Sequence, residues 1–354
     1  MSKLTLNSVE WGEFRIKDLF EIETVKGKPI ESYKKGNIPY VSTAATNNAV
    51  INFIEKDKNI ITSAFAITVD PIKGTCFFHD YAFVGRGFSG ASVNVLRNIN
   101  LNKYNGMFIC SSIEKTSKLK ASYGYLFNSN RLKMGVILLP IDSKSNPNWK
   151  FMEDYIKQEM KAQSQKVIAY YENKLMKLGF ELLDLEDVEW EEFKVKDLFE
   201  VKPVKGKSIT HYKGGKIPYV TTSSVDNGLN NFIDTEENIS LKKCISIDPI
   251  GGKSFFHEYD FVGRGGAGSA INLLYNNALD KYSGLFICKM LESSSFSKAS
   301  YGVQLNGNRL KNLKILLPIN RNDEPHWKYM NNFIKKLEKE NIEKVLSYLR
   351  SYND

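Results

Sequence analysis

Two stretches of the chain set an arginine between glycines, FVGRGFSG from Phe83 and FVGRGGAG from Phe261. The first contains GRGFSG, which matches the spacing G-x-G-x-x-G by which a glycine-rich turn approaches the pyrophosphate of a dinucleotide. That chemistry requires a helix to open after the glycines and an acid roughly 20 residues later to hold the ribose. Neither is legible here. In ASVNVL, Val93 and Val95 alternate with Ser92 and Asn94, the pattern of another strand, and no acid follows before Glu114. Without that context, an arginine freed of neighbouring side chains is suited to clamping a phosphate or to bidentate pairing with guanine. The duplication means that whatever Arg86 does, Arg264 is placed to do again.

Other polar groups are doubled in the same way. VKGK at Val25–Lys28 and again at Val204–Lys207 flanks a glycine with Lys26 and Lys28, then Lys205 and Lys207, whose ammonium groups can reach phosphates. IPYV is followed by hydroxyls and amides: Ser42, Thr43, Asn47 and Asn48 in the first copy, Thr221, Thr222, Asp226 and Asn227 in the second. Asparagine can bind adenine through two hydrogen bonds. KASYG and the NRL segment add Lys120, Ser122, Tyr123, Asn130 and Arg131, matched by Lys298, Ser300, Tyr301, Asn308 and Arg309. His79 and His257 each follow two phenylalanines on an expected strand, open to a structural role or to a phosphate or base contact. For any one of these residues a solvent-facing or turn-forming role is the alternative; the doubling favours DNA contact.

Catalytic patterns are missing. The chain has no N-P-P-Y or D-P-P-Y, no H-E-x-x-H, no G-x-S-x-G and no Walker loop. Asp70 and Asp248 each precede proline in a DPI triplet, a turn-forming context, and Glu192 with Lys194 is too short a pattern for a nuclease. The four cysteines form no C-x-x-C pair and the four histidines are scattered, so reduced thiols and no structural metal are expected. The 354 residues carry 49 Lys+Arg against 40 Asp+Glu, a net charge of +9 that suits an anionic partner. No apolar run reaches the roughly 18 residues of a membrane span, nor does the N-terminus carry the apolar core of a signal peptide. A cytoplasmic protein without membrane contact is expected.

The elements that must position these groups come in two copies. Trp11 and Trp190 share the phrase VEW, and from there V-K-G-K, IPYV, FFH, FVGRG, KASYG and NRL recur at an offset of 179 and then 178 residues. The copies close alike, in NPNWKFM and EPHWKYM, so all four tryptophans are repeat-matched. The body of each copy is rich in Val, Ile, Phe, Tyr and Thr in short runs cut by Gly, Pro and Asn, which predicts a β or mixed domain. Its tail differs. After Pro147, Trp149, Met152, Ile156, Met160, Val167, Tyr171, Leu175 and Leu178 follow at helical steps, and after Pro325 so do Trp327, Met330, Ile334, Leu337, Asn341, Val345 and Leu349. Two helices of about 30 residues, roughly 45 Å each, are predicted. Asn341 stands in the second seam as a polar group able to fix register. A chain running domain, helix, domain, helix pairs its helices most simply antiparallel, about an approximate two-fold axis. The acidic stretch from Glu181 reads as a solvated linker.

This order, with openings of the form W-x-x-F-x-[IV]-x-DLF, IPYV before a hydroxyl and Asn-rich segment, and a P-x-W entry to each long helix, resembles the specificity subunit of type I restriction-modification systems and their type IIB relatives. The resemblance covers essentially the whole chain, which is compact for that family and has two unusually similar halves. It implies an α+β fold with two target recognition domains, 1–146 and 181–324, and two conserved helices, 147–180 and 325–354. It implies double-stranded DNA with a bipartite site as ligand, read in the major groove. Two methyltransferase subunits are the implied partners, with restriction subunits as a further one, and the helices space the half-sites and dock the methyltransferase. The chain itself then needs no catalytic group and no cofactor; S-adenosylmethionine belongs to the methyltransferase, which flips and methylates the base. Two other readings remain from the residues: a nucleotide-dependent enzyme using GRGFSG, and a duplicated adaptor for carbohydrate or protein.

Overall fold

A computed structural model describes residues 3–55, 60–88, 91–117, 127–178, 187–266, 270–295, 304–305 and 307–353. The acidic linker from Glu181 therefore falls largely outside the described residues. The chain divides into two compact units, Met1–Val167 and Ile168–Asp354, each taken by itself below.

The first unit runs β1 (Trp11–Arg15), α1 (Ile16–Leu19), β2 (Glu21–Thr24), β3 (Lys35–Val41), β4 (Val50–Ile54), β5 (Ala66–Val69), β6 (Cys76–His79), β7 (Val84–Gly85), β8 (Asn94–Arg97), α2 (Lys103–Ser117), α3 (Ser129–Lys133), β9 (Val136–Pro140) and the start of α4 (Trp149–Lys177). An antiparallel sheet in the order β2-β8-β5-β6 lies at its centre. Every residue of β5 is buried, which is why Ala-Ile-Thr-Val carries no outward charge. Its side chains alternate between two apolar clusters. Ile67 and Val69 join Leu96 and the α2 residues Phe108, Ile109 and Ile113. Ala66 joins Val95, Val41 and Phe83 on the side of a second sheet, β4-β3-β7. Gly106 lets α2 lie flush on β6, since a Cβ there would stand 2.5 Å from the Phe78 ring.

The second unit repeats this in β10 (Trp190–Lys194), α5 (Val195–Leu198), β11 (Glu200–Pro203), β12 (Lys213–Val220), β13 (Leu229–Asp234), β14 (Cys244–Ile247), β15 (Ser254–His257), β16 (Val262–Gly263), β17 (Asn272–Tyr275), α6 (Lys281–Ser295), α7 (Gly307–Lys311), β18 (Lys314–Pro318) and α8 (Trp327–Asn353). Its sheets run β11-β17-β14-β15 and β13-β12-β16. Cys76, Cys110, Cys244 and Cys288 are free thiols, all buried. No helix among the described residues is long and apolar enough to cross a membrane.

Within the second unit the end of α4 lies against α8. Lys174 pairs with Glu338, and Glu172, earlier in α4, pairs with Arg350, later in α8, the order an antiparallel pair requires. The seam of α8 differs from the expected one. Ile342 and Leu346 are buried, whereas Leu337, Asn341 and Val345 stay exposed and line a groove shared with Tyr171 and Lys174 of α4. Steps of four from Met330 pass through Ile334, Glu338, Ile342 and Leu346. Glu338 looks excluded from such a stripe by its charge, and Lys174 supplies the counter-charge that lets it stay.

Candidate nucleic-acid interface

The glycines of VKGK and FVGRG serve one contact. The Gly27 amide donates to the Gly85 carbonyl at 3.0 Å, the Gly87 amide donates to the Gly27 carbonyl at 2.9 Å, and the Arg86 amide donates to Val41 at 2.8 Å. The backbones approach so closely that a Cβ on Gly27 would stand 2.3 Å from the Gly85 carbonyl oxygen, and one on Gly87 2.3 Å from that of Val25. Contacts of that length are not available to any side chain. The same bridge joins Gly206 to Arg264 in the second unit. β7 leads into Arg86 and β8 follows, with no helix among the described residues between them, so the spacing that suggested a dinucleotide turn belongs to a three-segment backbone junction.

Around that junction lie the predicted contact groups. Lys26 and Lys28 are exposed on either side of buried Gly27, as are Lys205 and Lys207 beside Gly206. The loop is tied from behind: the Lys28 amide donates to the Tyr33 hydroxyl at 2.9 Å, and the Tyr40 hydroxyl donates to the Lys28 carbonyl at 2.6 Å. Tyr212 and Tyr219 repeat both bonds around Lys207. Burial, then the neighbouring Tyr33, pushes the Tyr40 pKa up to about 12, so this donor keeps its proton. These tyrosines went unread in the sequence, although their presence in both copies was the available signal.

Ser42 and Thr43 continue from β3 half-buried, as Thr221 and Thr222 do from β12. The chain then turns through a left-handed stretch, with φ of 53°, 51° and 57° at Asn47, Asn48 and Ala49, and of 52°, 53° and 72° at Asp226, Asn227 and Gly228. Asn and Asp tolerate this region better than other side chains. Their presence therefore has a backbone cause, and it leaves all four side chains exposed. The Ser42 amide, bonded to the Ala49 carbonyl at 2.9 Å, closes the turn beside β3.

The two arginines differ. Arg86 donates from Nη1 to the Ala91 carbonyl at 2.7 Å and lies 4.3 Å above the Phe88 ring, an orientation fixed by a cation–π contact. Arg264 is exposed, with Gly266 where the first unit has Phe88. Asn130 and Asn308 are exposed, whereas Arg131 stacks 5.8 Å from Phe127 and Arg309 donates to the Gln304 carbonyl. These four lie on α3 and α7, which pack against α1 and α5 and against β2 and β11, the strands that lead into the two VKGK loops. Lys120, Ser122, Tyr123, Lys298, Ser300 and Tyr301 lie outside the described residues.

The structure corrects the reading of the histidines as DNA contacts. His79 and His257 have no solvent exposure. Nε2 of His79 stands 2.8 Å from Thr68 Oγ1, and Nε2 of His257 2.8 Å from Ser246 Oγ. They follow two phenylalanines on strands whose inner faces are core, so the imidazoles are packed with the aromatic rings of Phe83 and Phe261. Burial lowers both pKa values to about 4. The Asp of each DPI triplet is a turn former: Asp70 accepts from the Ile72 amide at 2.8 Å and Asp248 from that of Ile250 at 3.0 Å. Among the described residues no group of His, Cys, Asp and Glu could hold a metal.

Exposed lysines and amides with half-buried hydroxyls, placed alike on two α+β units, suit contact with an anionic polymer. The family model described as the type I restriction modification DNA specificity domain matches residues 8–169 and again residues 187–347. The chain belongs to that family, as a specificity subunit with two such domains, and has no catalytic role of its own. It is 26% identical over 340 residues, 94% of this chain and 96% of the relative, to the type II restriction enzyme BgcI specificity subunit S.BcgI of Heyndrickxia coagulans. Among solved structures it is similar to the type I restriction-modification S subunit from M. genitalium, 18% identical with a TM-score of 0.49, over 99% of this chain and 96% of that one. It is also similar to the HsdS subunit from Thermoanaerobacter tengcongensis, 12% identical with a TM-score of 0.32, over 97% and 94% of the two chains.

Two outcomes follow from this geometry. Lys26→Ala or Lys205→Ala weakens binding to every duplex alike and lowers the salt slope by about one, whereas Arg86→Ala or Arg264→Ala costs about 1–3 kcal/mol at one half-site only; titrations at several salt concentrations against duplexes altered in either half separate the two. Stability also depends on pH. The folded state holds both histidines near pKa 4 while the unfolded chain takes up protons below about 6.5. Stability is thus complete above pH 6.5 and falls as the pH drops, by about 2 kcal/mol per histidine at pH 5. Urea unfolding between pH 6.5 and 5, above the carboxylate range, checks this; a flat profile contradicts it.

Proposed function

We propose that each unit reads one half of a bipartite DNA site in the major groove, with the lysines of VKGK on phosphates and the side chains of the 42–48 and 221–227 segments and of the two arginines facing the bases. The observation that carries this is the doubling of one basic, amide-bearing junction on two units that each have their own core. Residues 1–146 and 181–324 are the recognition domains, and 147–180 and 325–354 form the helical spacer that also docks methyltransferase subunits. Two such subunits bring S-adenosylmethionine and the methyl-transfer chemistry; restriction subunits complete a cleaving assembly, in the cytoplasm. The chain alone neither methylates nor cuts.

Because the two junctions match so closely, the half-sites are expected to be related and inverted, with differences arising where Phe88 is replaced by Gly266 and Asn47 by Asp226. Expression of the chain with its methyltransferase subunit in a host lacking other adenine methylation, followed by mapping of methylated bases, is expected to return two short specified blocks separated by an unspecified spacer. A single continuous motif would contradict the assignment of one half-site to each unit.

A further inference from the structure

The backbone at the tip of the VKGK loop is already committed. In the first unit the Gly27 amide donates to the Gly85 carbonyl and the Lys28 amide to the Tyr33 hydroxyl, while the Gly27 and Lys28 carbonyls accept from the Gly87 amide and the Tyr40 hydroxyl. Glycine-bearing loops often hold phosphates through amides of this kind. Here both are turned to other partners. Lys26 and Lys28 supply charge, so a neutral donor at this tip has to come from a side chain.

The Tyr33 hydroxyl is placed to be that donor. A tyrosine hydroxyl has one proton and lone pairs with which to accept. A backbone amide can only donate, so the 2.9 Å bond from Lys28 makes Tyr33 the acceptor and leaves its own proton for another partner. Among the described residues no carbonyl or side chain takes that proton. The ring packs half-buried beside Tyr40, Ile54 and Val84, 6.0 Å from the Tyr40 ring, and its hydroxyl meets the loop at an exposed bond next to exposed Lys28. Tyr40 differs in both respects. A carbonyl can only accept, so the Tyr40 proton is spent at 2.6 Å on the Lys28 carbonyl, and the residue is buried.

The second unit repeats the arrangement on different intervening residues. The Lys207 amide donates to the Tyr212 hydroxyl at 2.8 Å, and the Tyr219 hydroxyl donates to the Lys207 carbonyl at 2.7 Å. Tyr212 is again half-buried, beside Tyr219, Ile233 and Val262. Pro29, Glu31 and Ser32 have become Ser208, Thr210 and His211, yet the tyrosine keeps its place five residues after the lysine. We propose that Tyr33 and Tyr212 are DNA contacts, each hydroxyl donating to an oxygen of a phosphate that the lysines of its own VKGK loop also reach. This rests on the reading of those lysines as phosphate contacts.

The test is duplex binding by the full chain at low salt, with the thermal midpoint of each variant measured alongside. Tyr33→Phe is expected to lower affinity for every sequence by about tenfold, the scale of one hydrogen bond to a charged group. Base discrimination and the salt slope are expected to stay as they are, because a neutral hydroxyl displaces no counterion. Tyr212→Phe is expected to behave alike. In a chain already carrying Lys26→Ala and Lys28→Ala, Tyr33→Phe is expected to cost the same factor again. Tyr40→Phe, which loosens the same loop residue without removing an outward proton, is expected to add nothing there. Wild-type affinity of Tyr33→Phe overturns the proposal. So does a loss that vanishes once the lysines are absent, since Tyr33 then only holds the loop, a loss confined to one base pair, or a loss in step with a lowered midpoint. If the two lysine substitutions themselves leave affinity and salt slope unchanged, the phosphate reading of the loop fails first and the proposal falls with it.

Discussion

The backbone contact between Gly27 and Gly85 decides where the rest of each recognition surface can be. Three segments far apart in sequence, 25–28, 41–43 and 83–87, meet there through amide hydrogen bonds at 2.8–3.0 Å. A side chain on any of the glycines would push them apart. The lysines on one segment and the arginine on another are presented together only because nothing but backbone separates the segments that carry them. Behind this junction the four-stranded sheet supplies rigidity, with the helix layer on one face and the smaller sheet on the other. Loops that bind gain precision when their own backbones are pinned in this way.

Two copies of one scaffold need not read two copies of one sequence. The glycine junction, the paired tyrosines under each VKGK loop and the left-handed turn are common to both units. What differs sits at the edges. Phe88 lies beneath Arg86 where Gly266 leaves Arg264 uncovered, Asn47 becomes Asp226, and the hydrogen-bonded link from His79 to Tyr81 is interrupted at His257. Such changes alter orientation and charge at the surface without touching the core, which is how a duplicated reader acquires unequal halves.

Much of this was legible in the sequence, because repetition acts as its own control. A residue type kept in both copies beside glycine had to serve either a backbone junction or a ligand, and the lysines, the long helices and the reduced thiols could be read from pattern and composition. Three things could not. Alternation along FFH does not say which face of the strand is core, so a structural role and a DNA contact both stayed open for the histidines. Steps of threes and fours along α8 admit two neighbouring stripes, and the one through Ile342 and Leu346 includes Glu338, whose partner Lys174 lies 164 residues away. The asparagines of the turn were read for their amides alone, when positive φ was an equal reason for them. The first two depend on contacts between residues distant in sequence.

The central claim is that the glycine junction assembles the reading surface, and Gly27→Ala tests it most directly, with Gly206→Ala as its counterpart in the other unit. The measurement is binding of each full-length variant to the intact target and to duplexes altered in one half-site. The account predicts that Gly27→Ala abolishes discrimination at one half-site and spares the other, and that Gly206→Ala does the reverse. Wild-type discrimination at both half-sites in either variant would contradict it.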